Sequence, residues 1–322
     1  DLLFEHLMFG ATRQHPEGEF DRELERMGAE TNAATWLDWT YYYETFPPEA
    51  LDLVLDFESD RMVNLVLDEE VVEREKSVVA NERRYRVEDR VDGVLDELLY
   101  ATAFRVHPYH HPTIGWMDDI LGFTLDDCVR FYASHYAPGN ARIVAVGHFD
   151  EEKMLEKIVE RMASLPAHRV PDPPSRNEPE QTEERRSAIT RQMPASKLVA
   201  GYRMPGIGHP DNAALVVLNT ILCGGDSGRL VRRMMHETEI AADVSGWAGV
   251  FADPCLFEFQ VDLREGEDPY RALQMLDEEL EKILAHGVTE EEIVTARNRN
   301  RLSFFLGLST ASGKANQLGF FE

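Results

Sequence analysis

The residue types best suited to chemistry sit at the start of the chain and along one later acidic stretch. Asp1-Leu2-Leu3-Phe4-Glu5-His6 places a carboxylate beside an imidazole. In a helix of the H-x-x-E-H pattern, two histidines four residues apart project from one face about one turn apart. Both imidazoles then meet one zinc ion while the glutamate serves as general base. Glu5 and His6 fill the last two places of that pattern, and Leu2, which has no lone pair to offer, fills the first. Asp1 is no substitute, because it is five residues from His6 and so about 140° round a helix. The second set is Glu75 and Glu82, seven residues apart, which fall about two turns apart on one helix face. Taken alone, a Glu-His pair is ordinary helix surface. So is a glutamate in a stretch that also carries Glu69, Glu70, Glu73 and Glu88, and further residues have to decide the matter.

These residues need elements to hold them. Apolar spacing predicts helices over Leu2 to Phe9, Glu17 to Met27 and Ala50 to Leu65, a long charged helix over Glu69 to Glu88, and a further helix over Val91 to Ala103. Asn32 to Phe46, dense in Thr, Trp and Tyr, is strand material. Helix Leu125 to Tyr136, strand Ala141 to Gly147 and helix Glu151 to Ser164 follow. From Pro166 to Arg186 the chain is rich in Pro, Glu and Arg and loses periodicity, which marks a linker. A second module is then predicted. It has strand Lys197 to Arg203, helices Asp211 to Leu222 and Arg229 to Glu239, strands Val244 to Val250 and Leu256 to Leu263, and helix Pro269 to His286. Its order of elements resembles that of the first module, as an internal duplication would produce. Leu302 to Glu322 is helix-like to its end, and Asp1 begins in mid-pattern, so the chain is expected to be a fragment cut at both ends.

Composition narrows the function classes. The 322 residues carry 33 Lys+Arg against 59 Asp+Glu, a formal charge of −26, which excludes a nucleic-acid binder built on clustered basic surface. With 43% hydrophobic and 29% charged residues the chain can bury a large core, at a length of about two domains. Its apolar runs fall short of the ~18 residues of a membrane span. Cys128, Cys223 and Cys255 are far apart and read as buried thiols. Gly224-Gly225-Asp226-Ser227-Gly228 lacks the Lys-Ser/Thr of a phosphate loop and follows a helix, so it reads as a helix-ending loop. The Pro spacing around His107, His110 and His111 fixes no shared face, so no second ligand set is read there.

Taken together, several motifs resemble the insulinase/pitrilysin family of zinc peptidases, the inverted zincins. They are Leu3-Phe4-Glu5-His6-Leu7-Met8-Phe9, Thr31-Asn32-Ala33-Ala34-Thr35 with Tyr41-Tyr42-Tyr43, and Asn81-Glu82-Arg83-Arg84. Further along stand His107-Pro108-Tyr109 with Thr113-Ile114-Gly115, and Phe131-Tyr132 through Tyr136-Ala137-Pro138-Gly139-Asn140 to Gly147. The resemblance implies an α+β fold of two similar modules, each a mainly antiparallel sheet packed with helices. Residues 1–165 would be the metal-bearing module, 166–187 the linker and 188–322 the second module. It also implies Zn2+ as cofactor, with His6 and Glu82 as ligands, Glu5 as catalytic base and Glu75 as an outer carboxylate that orients a ligand. Asn32, Ala33, Ala34 and Thr35 would bind substrate as an added strand. The reaction implied is hydrolysis of extended peptides by a metal-bound water, inside a clamshell closed by a second peptidase half, in the same chain or a separate subunit.

Three positions, in two segments, depart from the family pattern. Leu2 stands where the first His belongs, so the start of the chain is faulty or the protein is a non-catalytic, substrate-presenting subunit. Met235 and Ala242 stand where many relatives carry an Arg and a Tyr that help bind substrate, as expected of a metal-bearing half whose partner supplies them.

Overall fold

In the computed structural model, residues 2–166, 170 and 177–321 are described. The chain opens with α1 (Leu2–Leu7), α2 (Glu19–Arg26), β1 (Glu30–Thr35), β2 (Thr40–Thr45), α3 (Leu51–Asn64), α4 (Glu69–Arg83) and α5 (Val91–Ala103). It continues through α6 (Met117–Gly122), α7 (Leu125–His135) and α8 (Glu151–Met162). Next come β3 (Lys197–Met204), α9 (Asn212–Cys223), α10 (Arg229–Val231), β4 (Ala241–Ala248) and β5 (Cys255–Leu263), and last α11 (Pro269–His286), α12 (Glu290–Gly307) and α13 (Ala311–Phe321). The α+β class expected from the sequence is the class observed. Contacts divide the chain into two compact units. One comprises Asp1–Gly93, His111–Ser175 and Gly307–Glu322, the other Val94–His110 and Arg176–Leu306.

In the first unit α1 is short and apolar on nearly every side, and Leu2, Leu3, Phe4 and Leu7 are all buried. Its partner is α4, whose buried residues Val72, Lys76, Val79, Ala80 and Arg83 follow the helical repeat along one face. Asp68 caps α4 by accepting from Val71 N at 2.9 Å. The Phe4 ring sits 4.7 to 5.6 Å from the rings of Phe131, Tyr132 and Tyr136, which joins α7 to the same cluster. β1 and β2 form an antiparallel hairpin with Thr35 opposite Thr40. Every second residue of β2 turns inward. Tyr42 bonds Tyr136 at 2.7 Å, and Glu44 pairs at 3.2 Å with Arg61, a guanidinium only 3% exposed that also stacks over Tyr42 at 4.6 Å.

In the second unit the strand order is β3-β5-β4, all antiparallel. Central β5 alternates as its position demands, with Phe257, Phe259, Val261 and Leu263 buried and Glu258, Gln260 and Asp262 less so. Helices α9 and α11 cover the sheet. The segment Gly225–Ser227 after α9 is a single 3₁₀ turn, with Gly225 at φ 59, as befits a helix-ending loop.

Some elements differ from expectation. The strand expected at Ala141 to Gly147 is irregular, because among the described residues no neighbouring strand pairs with it, and an unpaired β-prone segment forms no ladder. Asn32 to Phe46 is a hairpin, turned at Trp36 to Trp39 where Trp36 N donates to Trp39 O at 2.8 Å. The long charged helix stays α-helical to Arg83 and widens into a π-helical turn over Arg84–Glu88. The helix expected at Arg229 to Glu239 likewise passes from α10 into a π-helical stretch, Arg232–Glu237. The helix-like end is two helices, and α6 was not foreseen. Of the 166–187 linker, residues 167–169 and 171–176 lie outside the described residues, as do Asp1 and Glu322.

Burial makes one carboxyl of the second unit titrate late. Glu258 accepts from Tyr100 Oη at 2.5 Å, and desolvation, aided by the nearby Asp96, pushes it up to about 7. A raised carboxyl favours the fold while protonated, so this contribution is present below its ordinary value of 4.5 and is lost as pH rises through about 7. Glu258→Gln should remove a loss of up to roughly 3 kcal/mol across that window. Denaturant unfolding of both proteins at a series of pH values checks this, and identical pH slopes would count against it.

Candidate metal centre

His6 occupies the seam between α1 and α4. Leu2 and His6 are four residues apart on α1 and share a face, and Leu2 lies in the apolar cluster with Val72, Val79 and Ala80. On α4, Val72 and Val79 are seven residues apart, as are Glu75 and Glu82, so the buried valines and the two carboxylates run in parallel rows. The valines hold α1 down and the glutamates flank its rim. His6 Nε2 is 3.1 Å from Glu82 Oε2, and His6 Nδ1 is 3.8 Å from Glu75 Oε2.

The charges alternate along this row. Arg74 lies 3.1 Å from Glu75 and Arg86 lies 3.0 Å from Glu82. Glu75 and Glu82, against the cost of burial, hold the His6 imidazole charged and push it up to about 9. In return His6, with Arg74 for Glu75 and Arg86 for Glu82, holds both carboxyls below their ordinary range.

Glu5, the neighbouring residue of α1, reaches the other way. Its Oε2 accepts a short hydrogen bond from Thr35 Oγ1 at the end of β1, and Thr35 also touches Thr40 Oγ1 at 3.1 Å. Adjacent residues of one helix therefore address α4 and the β1–β2 hairpin. Of the strand residues singled out in the sequence, Thr35 is brought to Glu5, while Asn32, Ala33 and Ala34 run away from it along β1. Asn32 Oδ1 accepts from Ala33 N at 2.8 Å. Arg83, not singled out as a site residue, ties the glutamate helix to the following loop by donating to Gly115 O at 2.7 Å. Its position on the buried stripe of α4 was the available signal. The histidines at 107–111 are structural here. His107 Nε2 lies 3.3 Å from Asp253, His110 Nδ1 2.8 Å from Phe104 O, and His111 Nδ1 accepts from Trp116 Nε1 at 3.0 Å.

Two profiles of one peptidase family match the chain. Insulinase (Peptidase family M16) matches residues 2–116, and the Peptidase M16 inactive domain matches residues 122–300. The chain belongs to the M16 insulinase family. Among its relatives is zinc protease PqqE of Helicobacter pylori, 30% identical over 97% of this chain and 71% of that protein. The crystal structure of a protease from Helicobacter pylori superposes with a TM-score of 0.93 at 28% identity, over 98% of this chain and 76% of that one. The periplasmic protease PqqL from Escherichia coli shares the fold, with a TM-score of 0.74 at 19% identity. There the match covers 99% of this chain and 37% of that one.

Relatives named zinc proteases raise the question whether these residues fit zinc. A catalytic zinc takes three protein donors and keeps one position open. His6 and Glu82 are two suitable donors that already meet. Glu75 is no third, because it faces Nδ1 of the ring while Glu82 faces Nε2, so both carboxylates cannot join one ion with the same nitrogen. Leu2, four residues before His6 on the same face, is hydrocarbon and offers no lone pair. Among the described residues no group of three His, Cys, Asp or Glu side chains is placed to hold a metal. The donor set as it stands does not fit a catalytic zinc.

Because Leu2 shares the His6 face, Leu2→His supplies the missing donor. After exhaustive dialysis the unmodified chain should retain zinc well below one equivalent, and the variant should approach one. Elemental analysis decides. A stoichiometric metal in the unmodified chain, or none in the variant, contradicts the donor assignment.

Proposed function

We propose that this chain is the peptide-binding, metal-side half of a zinc metalloendopeptidase, left one donor short by Leu2, so that as it stands it holds extended peptides without hydrolysing them. The observation that carries this reading is the divergence of two adjacent α1 side chains, Glu5 to Thr35 of β1 and His6 to Glu82 of α4. A peptide added beside Asn32, Ala33, Ala34 and Thr35 would draw its affinity from main-chain hydrogen bonds and its preference from alternate side chains. Its backbone would then run past Glu5. The first unit is the metal-bearing module in this reading, with Glu75 steering the His6 ring.

The hydrolytic reading is favoured by one specific observation: Glu5, the base of the M16 motif, is held in place by Thr35 although the first His is absent. Once Leu2→His is introduced, Glu5 is the residue to take a proton from the attacking water and return it to the leaving amine. In that background, with a partner half present, Glu5→Gln should leave zinc content unchanged yet lower peptide cleavage by at least ~10²-fold. Cleavage that survives the exchange shows that another group takes the proton.

The partner is a second peptidase half, either a continuation of this chain or a separate subunit. The match to the E. coli protease supports this, because this chain fills 37% of it and leaves room for another unit of this size. Among the described residues no helix is long and apolar enough to cross a membrane. A single half leaves the β1 edge and the His6 rim open to water, without the dry surroundings that strengthen electrostatic catalysis. Cleavage of a quenched peptide by the Leu2→His chain should therefore rise at least ~10-fold when the second half is supplied. Equal rates with and without it refute the two-half requirement. Binding of a labelled extended peptide by the unmodified chain, read by anisotropy, tests the non-hydrolytic reading directly.

A further inference from the structure

At the end of α5 the carbonyls of Thr102 and Ala103 have run out of helix to bond them. Arg185 Nη1 donates to both, at 3.2 and 2.7 Å, and Arg203 Nη2 donates to Ala103 O at 2.7 Å. The Arg203 guanidinium also lies over the Phe104 ring at 4.0 Å. In the next three residues the polarity reverses. The amides of Arg105, Val106 and His107 all donate to one carboxylate, that of Glu178, at 2.8, 2.8 and 2.9 Å. Arg203 and Arg185 stand 3.5 and 4.0 Å from the same carboxylate.

Successive backbone amides converging on one anion form a nest, a concavity that binds carboxylates and phosphates. Here the anion comes from the chain itself. Glu178 and Arg185 both lie in the stretch that composition marks as linker, where charged side chains ordinarily stay in water. Instead their side chains are 9% and 13% exposed. Burying a carboxylate is costly unless charge-assisted hydrogen bonds replace its water, and three amides with two guanidiniums do so. The linker carries an anion for the amides and a cation for the carbonyls, seven residues apart, matching the two polarities of the α5 terminus.

We propose that Arg105, Val106 and His107 form a carboxylate-binding cradle whose ligand is Glu178 of the same chain, and that this clasp fastens the linker to the second unit. The loop it grips is bound on its far side as well. His107 lies 3.3 Å from Asp253, and Asp253 N donates to Tyr109 Oη at 3.1 Å, so linker, α5 and the β4–β5 connection meet at one loop.

The test is hydrogen exchange of the full chain, followed by mass spectrometry on the peptide that contains Arg105 to His107. Glu178→Ala should speed exchange of these amides at least ~10-fold. Millimolar formate, which supplies the missing carboxylate, should slow it again in a saturable way. Exposed Glu180 serves as control, and Glu180→Ala should leave the rate unchanged. Should Glu178→Ala fail to fold, Glu178→Gln, which keeps the acceptor and loses the charge, decides with an expected acceleration of at least ~3-fold. Unchanged exchange in the variant that folds overturns the proposal. So does acceleration spread evenly over β3, β4 and β5, or formate without effect on Glu178→Ala.

Discussion

The contact of α1 with α4 is the constraint on which the candidate site rests. Leu2, Leu3, Phe4 and Leu7 bury themselves against Val72, Val79 and Ala80, and that apolar seam sets the height at which His6 meets the glutamates. A helix of six residues has little stability of its own, so its position comes from packing and not from propensity. Lys76 and Arg83, buried on the same α4 face, tie that helix to the segments on either side of α6. Lys76 Nζ donates to Phe123 O at 2.9 Å and Arg83 Nη1 to Gly115 O at 2.7 Å. Two cations among buried valines would be costly unpaired; the two carbonyls accept hydrogen bonds from them, and Glu73 at 2.7 Å from Lys76 and Glu88 at 3.4 Å from Arg83 balance their charge.

Charge at the rim of this seam is arranged so that each carboxylate has two cations. Glu75 stands between Arg74 and His6, and Glu82 between Arg86 and His6. An imidazolium shared by two carboxylates compensates charge where an ion bound to His6 and Glu82 would stand. Beside Leu2 the carboxylates are thus neutralised within the protein and are not left bare.

The second unit is organised around a different junction. Its sheet is held by the alternation of β5, but the loop after α5 is held by polar groups, with the His107 and Tyr109 side chains turned to Asp253 and the amides of Arg105, Val106 and His107 turned to Glu178. Each unit therefore contains an apolar core and, beside it, a polar knot with a job of its own. In the first the knot lies at the candidate site, and in the second it lies where the linker joins.

The sequence by itself determined the helices α3, α5, α7 and α11 nearly to the residue, because apolar spacing is a local signal. It also determined that Glu75 and Glu82 share a face, since that follows from helical geometry alone, and the motif resemblance brought Glu5, His6 and the β1 residues together as one family. Other features depended on partners distant in sequence. The pairing of His6 with Glu82, 76 residues away, and of Thr35 with Glu5 exists only once α1 is seated. Ala141 to Gly147 has strand composition but finds no neighbouring strand among the described residues, so composition could not make it a strand. Glu178 looked like linker because an amide nest made by residues 105–107 leaves no mark in sequence. Backbone amides carry no side-chain identity, and only the folded chain shows which carboxylate they hold.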